Sequence, residues 1–191
     1  MALHKALRLL TVTTAMALCV MLVGCNTPST TTSPAPTAPP AASKPVPNLG
    51  ITPDEFKSRF NAISEKEQYK LRIDNMVVED GAVQNVIKYP LGEKLELIAA
   101  VNKTNGFLRN VSLIGVMDET YEAGIKIVTK ATNPDLTESE YKEIYRGLSL
   151  LSDSFDFANM KTDMVMRDKR YVVKGAKAFG LTFTAQSAED P

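Results

Sequence analysis

The chain is poor in the side chains that most often perform catalysis. Its 191 residues contain one histidine, His4, two cysteines, Cys19 and Cys25, and no tryptophan. From Asn26 to the C-terminus there is neither histidine nor cysteine. This segment therefore cannot build a Ser-His-Asp or Cys-His nucleophilic site from its own residues. It also cannot form a zinc site with His or Cys ligands, or an internal disulfide.

The chain also lacks an excess of either charge. It has 22 basic and 22 acidic residues, so its formal net charge is zero. Proteins that bind nucleic acid usually carry a basic face or stripe, and no such run is present in the sequence. No glycine-rich loop suited to phosphate binding occurs either. We therefore predict no nucleic-acid partner and no cofactor.

The N-terminal residues have the order of an export signal. Lys5 and Arg8 supply a basic start without any acid, and an apolar stretch runs from Leu9 to Val23. This stretch is short for a membrane-spanning helix, which needs about 20 residues. Small residues then lead to Cys25, so we interpret residues 1–24 as a cleaved signal peptide.

The sequence Leu22-Val23-Gly24-Cys25 resembles the lipobox of bacterial lipoproteins. The resemblance covers residues 1–25. It implies that the Cys25 thiol carries a diacylglyceryl group and that signal peptidase II cuts before it. The protein would then lie in the cell envelope, anchored to a membrane through the lipid on Cys25. Asn26 follows where an Asp would imply inner-membrane retention, so the resemblance favours the outer membrane if the source is Gram-negative.

Residues 25–48 are predicted to be the lipidated cysteine and a disordered tether. Residues 26–48 contain seven of the eleven prolines and eight Ser or Thr, with Lys44 as the only charge. Such a segment has too little apolar surface to offset the entropy lost on ordering. Fully extended, 23 residues would reach at most about 70 Å at roughly 3.1 Å per residue.

Residues 49–187 are predicted to form one globular domain that starts with a helix. Thr52-Pro53-Asp54-Glu55 combines an N-cap, a proline at the first helical position and a capping box, so a helix begins there and ends near Lys66. The capping box recurs at Thr137-Glu138-Ser139-Glu140, which predicts a second such helix. Residues 119–132 suit helix or strand, and we predict a helix.

The apolar residues between these helices alternate with a period of two, which is typical of strands. Turn signals at Asp80-Gly81 and Asn105-Gly106 predict a four-strand antiparallel meander over residues 69–117. Three further strands are predicted after the helices, and residues 188–191 are predicted to be a disordered tail. The fold class is therefore α+β, an antiparallel sheet with helices packed on one face.

Three groups of side chains could still bind or react. A carboxylate pair for glycoside hydrolysis could come from five acidic residues, namely Asp118, Glu119, Asp153, Asp156 and Asp163. Asp153-Ser154-Phe155-Asp156 could also offer oxygen ligands to calcium. Three methionines could pack in the core or hold Cu(I); they are Met160, Met164 and Met166. Tyr141 and Tyr145 lie four residues apart on one helix face, where they could pack in the core or contact a glycan or protein. No metal site is predicted.

Three functions follow from these features. The favoured hypothesis is a non-catalytic lipoprotein whose domain binds an envelope protein or cell-wall partner, with Asp153, Asp156, Tyr141 and Tyr145 as candidate contacts. The second is a glycan hydrolase that acts through carboxylates. The third is a carrier of a hydrophobic molecule in a cavity lined by residues such as Phe107, Leu113 and Phe183.

Overall fold

The computed structural model describes residues 45–150, 159–176 and 180–190, which contain three helices and a six-stranded antiparallel sheet. The helices are α1 (Pro53–Lys66), α2 (Glu119–Thr132) and α3 (Glu138–Gly147). The strands are β1 (Asn85–Pro90), β2 (Leu95–Val101), β3 (Leu108–Gly115), β4 (Lys161–Met166), β5 (Lys169–Ala176) and β6 (Gly180–Ser187). The predicted α+β class is confirmed.

The capping sequences set the starts of α1 and α3. Thr52 and Thr137 each accept a hydrogen bond from the backbone N–H three residues later, and Glu55 and Glu140 complete the two capping boxes. The backbone N–H of Thr137, followed by the guanidinium of Arg167, lowers the pKa of Glu140 to about 2. Both helices therefore begin where local sequence rules place them.

The predicted first strand, at residues 69–77, is wrong. Leu71 and Ile73 are buried, but residues 69–77 form no strand of the sheet, and the isolated bridge that follows them joins Glu79 to Val86. Side chains of α1 take the place of a neighbouring strand. The Asn61 amide bonds both the N–H and the carbonyl of Ile73, at 2.9 and 2.8 Å, and the Ser64 hydroxyl donates to the Leu71 carbonyl.

This arrangement predicts that Asn61→Ala destabilises the domain although Asn61 is not in the hydrophobic core. The variant leaves two backbone groups of Ile73 without partners, at a cost of about 1–3 kcal/mol. Urea unfolding measures this cost, and amide exchange at Ile73 should accelerate. Ser58→Ala, on the exposed side of the same helix, is the control. Equal stability of the two variants would contradict the role of Asn61.

The strand order is β1-β2-β3-β6-β5-β4, so two three-stranded meanders meet at the sheet centre. β3 pairs with β6 there, with Leu113 opposite Phe183. The residues 119–132 form α2, as predicted, and α2 contacts β3 and β6. Helix α1 packs against α2, and α3 contacts β4. The hydrophobic core therefore lies between the helices and one face of the sheet.

The opposite face of the sheet is not covered by a helix of the described residues, and we call it the open face. Its side chains form three rows that cross all six strands, because each strand pair is antiparallel and in register. One row is Pro90, Glu96, Ile114, Thr182, Lys174 and Lys161. The next is Lys88, Ile98, Ser112, Thr184, Val172 and Asp163. The third is Val86, Ala100, Asn110, Gln186, Arg170 and Val165.

The prediction of a disordered tail is wrong for residues 188–190. Asp190 is 4% exposed, and its carboxylate accepts two hydrogen bonds from Arg109, both of 2.8 Å. Its carbonyl accepts from Arg170 and Gln186. Contacts with residues distant in sequence thus order residues 188–190, although their polar composition predicts disorder. Pro191 lies outside the described residues, as do residues 1–44, which include Cys25 and most of the predicted tether.

Candidate functional site

Three tyrosines from two parts of the chain border one surface groove, which we call the tyrosine groove. Tyr69 follows α1, while Tyr141 and Tyr145 lie one turn apart on α3. The groove has a volume of about 370 Å³, within the range of small-molecule sites, roughly 300–1,000 Å³. The charged residues along it are Glu119, Glu122, Lys126, Glu138 and Lys142.

The tyrosine rings differ in exposure. Tyr141 is only 8% exposed, whereas Tyr69 and Tyr145 are half-buried. The rings of Tyr141 and Tyr145 have centroids 5.0 Å apart at an angle of 47°. The Tyr145 hydroxyl donates to the Glu122 carbonyl at 3.3 Å, which ties α3 to α2. The groove therefore combines a fixed aromatic base with two rings that a ligand can contact.

A network of ion pairs behind the groove holds Lys126, one of its lining residues. Lys126 Nζ lies 2.7 Å from Glu67 Oε2, and Lys130 Nζ lies 3.1 Å from Glu67 Oε1. Both ammonium groups also lie over the Tyr141 ring, at 5.9 and 5.7 Å from its centroid. Cation–π contacts of this length are favourable. The lysines are thus positioned before any ligand arrives.

The environment of these groups keeps them in their ordinary protonation states. Hydrogen bonds from Lys126 and then Lys130 lower the pKa of Glu67, and the bond to Glu67 raises the pKa of Lys126. Burial raises the pKa of Tyr145 to about 12 and that of Tyr141 as well. Near neutral pH Tyr141 and Tyr145 are therefore neutral, and their hydroxyls can donate hydrogen bonds but do not act as phenolate nucleophiles.

The structure places the predicted acidic residues in separate parts of the domain. Asp118 is the N-cap of α2 and accepts the Tyr121 N–H at 2.9 Å, and Glu119 follows it beside the tyrosine groove. Asp163 lies on the open face, on the other side of the sheet. Asp118 and Glu119 therefore cannot face Asp163 across one glycosidic bond. Asp153 and Asp156 lie outside the described residues.

Other candidate groups have structural roles. Met160, Met164 and Met166 are partly buried against the core. Leu113 and Phe183 are fully buried, and the Phe183 ring stacks on Tyr171 with centroids 6.1 Å apart. The tyrosine groove does not include these residues. Among the described residues, no three His, Cys, Asp or Glu side chains are grouped so that they could hold a metal ion.

Sequence reasoning identified Tyr141 and Tyr145 but missed Tyr69, Glu67 and Lys126. Tyr69 lines the same groove as Tyr141 although some seventy residues separate them in sequence, and no local pattern indicates this. Lys126 and Lys130 do have a signal, since residues four apart share a helix face. That signal could be used only once residues 119–132 were known to be a helix.

Comparisons of the chain with models of protein families, with curated proteins and with solved structures found no match. In the described part of the chain, no helix is both long and apolar enough to cross a membrane.

Proposed function

We propose that this chain is a lipid-anchored protein of the cell envelope whose domain binds cell-wall glycan in the tyrosine groove without cleaving it. The anchor would be the lipid on Cys25, and residues 26–48 would act as the tether. The observation that carries the proposal is the convergence of Tyr69, Tyr141 and Tyr145 around one groove.

The groove offers what a neutral sugar requires. One face of a pyranose ring presents C–H groups, which pack against an aromatic ring, while its hydroxyls bond to charged and polar groups at the edge. Tyr69 and Tyr145 are accessible for packing. Glu119, Glu122 and Glu138 can accept hydroxyl protons, and Lys142 can donate to a hydroxyl oxygen.

The chemistry of the groove favours binding over hydrolysis. Glycosidases need a general acid and a second carboxylate on opposite sides of the scissile bond. Of the carboxylates in the groove, Glu138 is paired with Lys130, while Glu119 and Glu122 lie three residues apart on one face of α2 and so on the same side of a bound sugar. Histidine and free cysteine are absent from residues 26–191. A protein partner that inserts a side chain into the same groove is the alternative occupant.

We expect Tyr145→Ala to reduce binding to purified peptidoglycan by about tenfold or more, because truncation of a central tyrosine removes both contact area and an anchor. Tyr145→Phe keeps the ring and should bind within about threefold of the parent protein. Sedimentation with peptidoglycan freed of attached polymers measures retention, using mature protein with Cys25→Ser.

Tyr89→Ala is the matched control, because Tyr89 is also half-buried and uses its hydroxyl in a hydrogen bond, to the Asp74 N–H. Thermal unfolding of Tyr145→Ala and Tyr89→Ala shows whether a variant that fails to bind is still folded. Equal retention of Tyr145→Ala and the parent protein would refute the glycan site. If neither the parent protein nor Tyr145→Ala is retained, a protein partner remains as the occupant of the tyrosine groove.

A further inference from the structure

A second recessed site lies on the open face, across the sheet from the tyrosine groove. It has a volume of about 240 Å³ and is lined by residues of β4, β5 and β6. We call it the basic cradle; its residues are Lys161, Asp163, Arg170, Val172, Lys174, Thr184 and Gln186. It thus holds three cations and one carboxylate.

The positions of the cations follow from strand register. Lys161 on β4 lies directly opposite Lys174 on β5. Side chains at such positions have Cβ atoms about 5 Å apart, and like charges placed there repel each other. Arg170 is on the same face of β5, four residues before Lys174. The sheet therefore places these three cations close together, although the repulsion between them is unfavourable.

The three cations of the cradle outnumber its single carboxylate, Asp163. None of the ion pairs in the described part of the chain includes Lys161, Arg170 or Lys174. Arg170 instead donates to the backbone carbonyl of Asp190, at 3.4 Å, while the Asp190 carboxylate binds Arg109. The C-terminal residues thus hold Arg170 in place without cancelling its charge.

Hydrogen-bonding groups complete the cradle. Thr184 shares a 2.8 Å hydrogen bond with Ser112, and Gln186 donates to the Asp190 carbonyl at 3.0 Å. These bonds orient the central side chains. Val172 is the one apolar residue of the lining, which leaves little surface for a lipid chain.

We propose that the basic cradle binds an acidic polysaccharide, a ligand that the proposed function does not include. Such a polymer carries carboxylates for Lys161, Arg170 and Lys174, together with hydroxyls that can donate to Asp163. An acidic peptide has fewer donors to satisfy Asp163, and an anionic lipid would need apolar surface beside its headgroup. The combination of three cations, one acceptor and fixed polar groups favours the sugar acid.

The test is a titration of mature protein, Cys25→Ser and ¹⁵N-labelled, with polygalacturonic acid oligosaccharides. We expect shifts of amide signals in β4, β5 and β6, and weaker binding as salt screens the charges. The double variant Lys161→Gln with Lys174→Gln should lose affinity by about tenfold or more, because it removes charge-assisted hydrogen bonds. Lys88→Gln with Lys94→Gln changes the net charge equally but lies away from the cradle, and it should bind like the parent protein.

The proposal fails if the oligosaccharide does not bind, or if both double variants lose affinity equally. It also fails if polyglutamate or phosphatidylglycerol vesicles bind at the cradle as tightly as the oligosaccharide. Tyr145→Ala separates the two sites. It should leave polygalacturonate binding unchanged, and the Lys161 and Lys174 double variant should still bind peptidoglycan freed of attached polymers. Failure of one site therefore does not imply failure of the other.

Discussion

Replacing Cys25 with serine is expected to abolish lipid attachment and cleavage before residue 25. Signal peptidase II acts on a precursor whose lipobox cysteine already carries its diacylglyceryl group, and a serine hydroxyl does not accept that group. A single acyl chain gives only marginal membrane binding, so stable anchoring depends on the full lipid. Incorporation of labelled palmitate measures lipid attachment, which should be lost completely, and electrophoretic mobility shows whether residues 1–24 are removed.

Cys19→Ser is the matched control for this experiment. Cys19 is the only other cysteine and lies within the apolar stretch of the predicted signal peptide. This variant should take up palmitate and be cleaved like the parent protein. If Cys25→Ser is still labelled, or if Cys19→Ser alone loses the label, then Cys25 is not the attachment point and the lipobox interpretation is wrong.

Asp190→Ala should be among the most destabilising single substitutions outside the hydrophobic core. The Asp190 side chain is 6% exposed and that of Arg109 is 35% exposed, so the substitution leaves a partly buried guanidinium without its carboxylate. Removal of one partner from a buried ion pair costs about 3–5 kcal/mol, and we expect about 3 kcal/mol because Arg109 retains some contact with water. Urea unfolding at neutral pH measures the change.

Glu189→Ala tests whether the effect belongs to Asp190. Glu189 is the exposed neighbour, and its loss should change the free energy of unfolding by less than about 0.5 kcal/mol. Arg109→Ala should destabilise at least as much as Asp190→Ala, since it leaves the more deeply buried Asp190 carboxylate without its guanidinium. A cost for Asp190→Ala near that of Glu189→Ala would mean that the C-terminal residues are not held as described.

The parts of the fold that sequence predicted well are those with local causes. The starts of α1 and α3 depend on Thr52 with Glu55 and on Thr137 with Glu140, which lie within one helical turn. The residues 69–77 show the limit of such reasoning. Their alternating burial is real, but alternation does not reveal whether the partner of Ile73 is a strand or the amide of Asn61.

The candidate sites were harder to predict because both depend on contacts between distant residues. Tyr141 and Tyr145 could be placed on one helix face, yet nothing local indicates that Tyr69 joins them. The basic cradle depends on register, which places Lys161 opposite Lys174. Asp163 was considered a catalytic candidate together with Asp118, and only the topology shows that the sheet separates them. Composition likewise could not predict that Arg109 holds the C-terminal residues.

The most direct test of the proposed function is to incubate the mature protein, with Cys25→Ser, with purified peptidoglycan. Two quantities are measured: the protein that sediments with the polymer and the soluble sugar fragments released from it. Binding in the tyrosine groove without hydrolysis predicts that the protein sediments, that Tyr145→Ala does not, and that fragments stay at the level of a protein-free sample. Release of fragments above that level, or parent protein that stays in the supernatant, would contradict it.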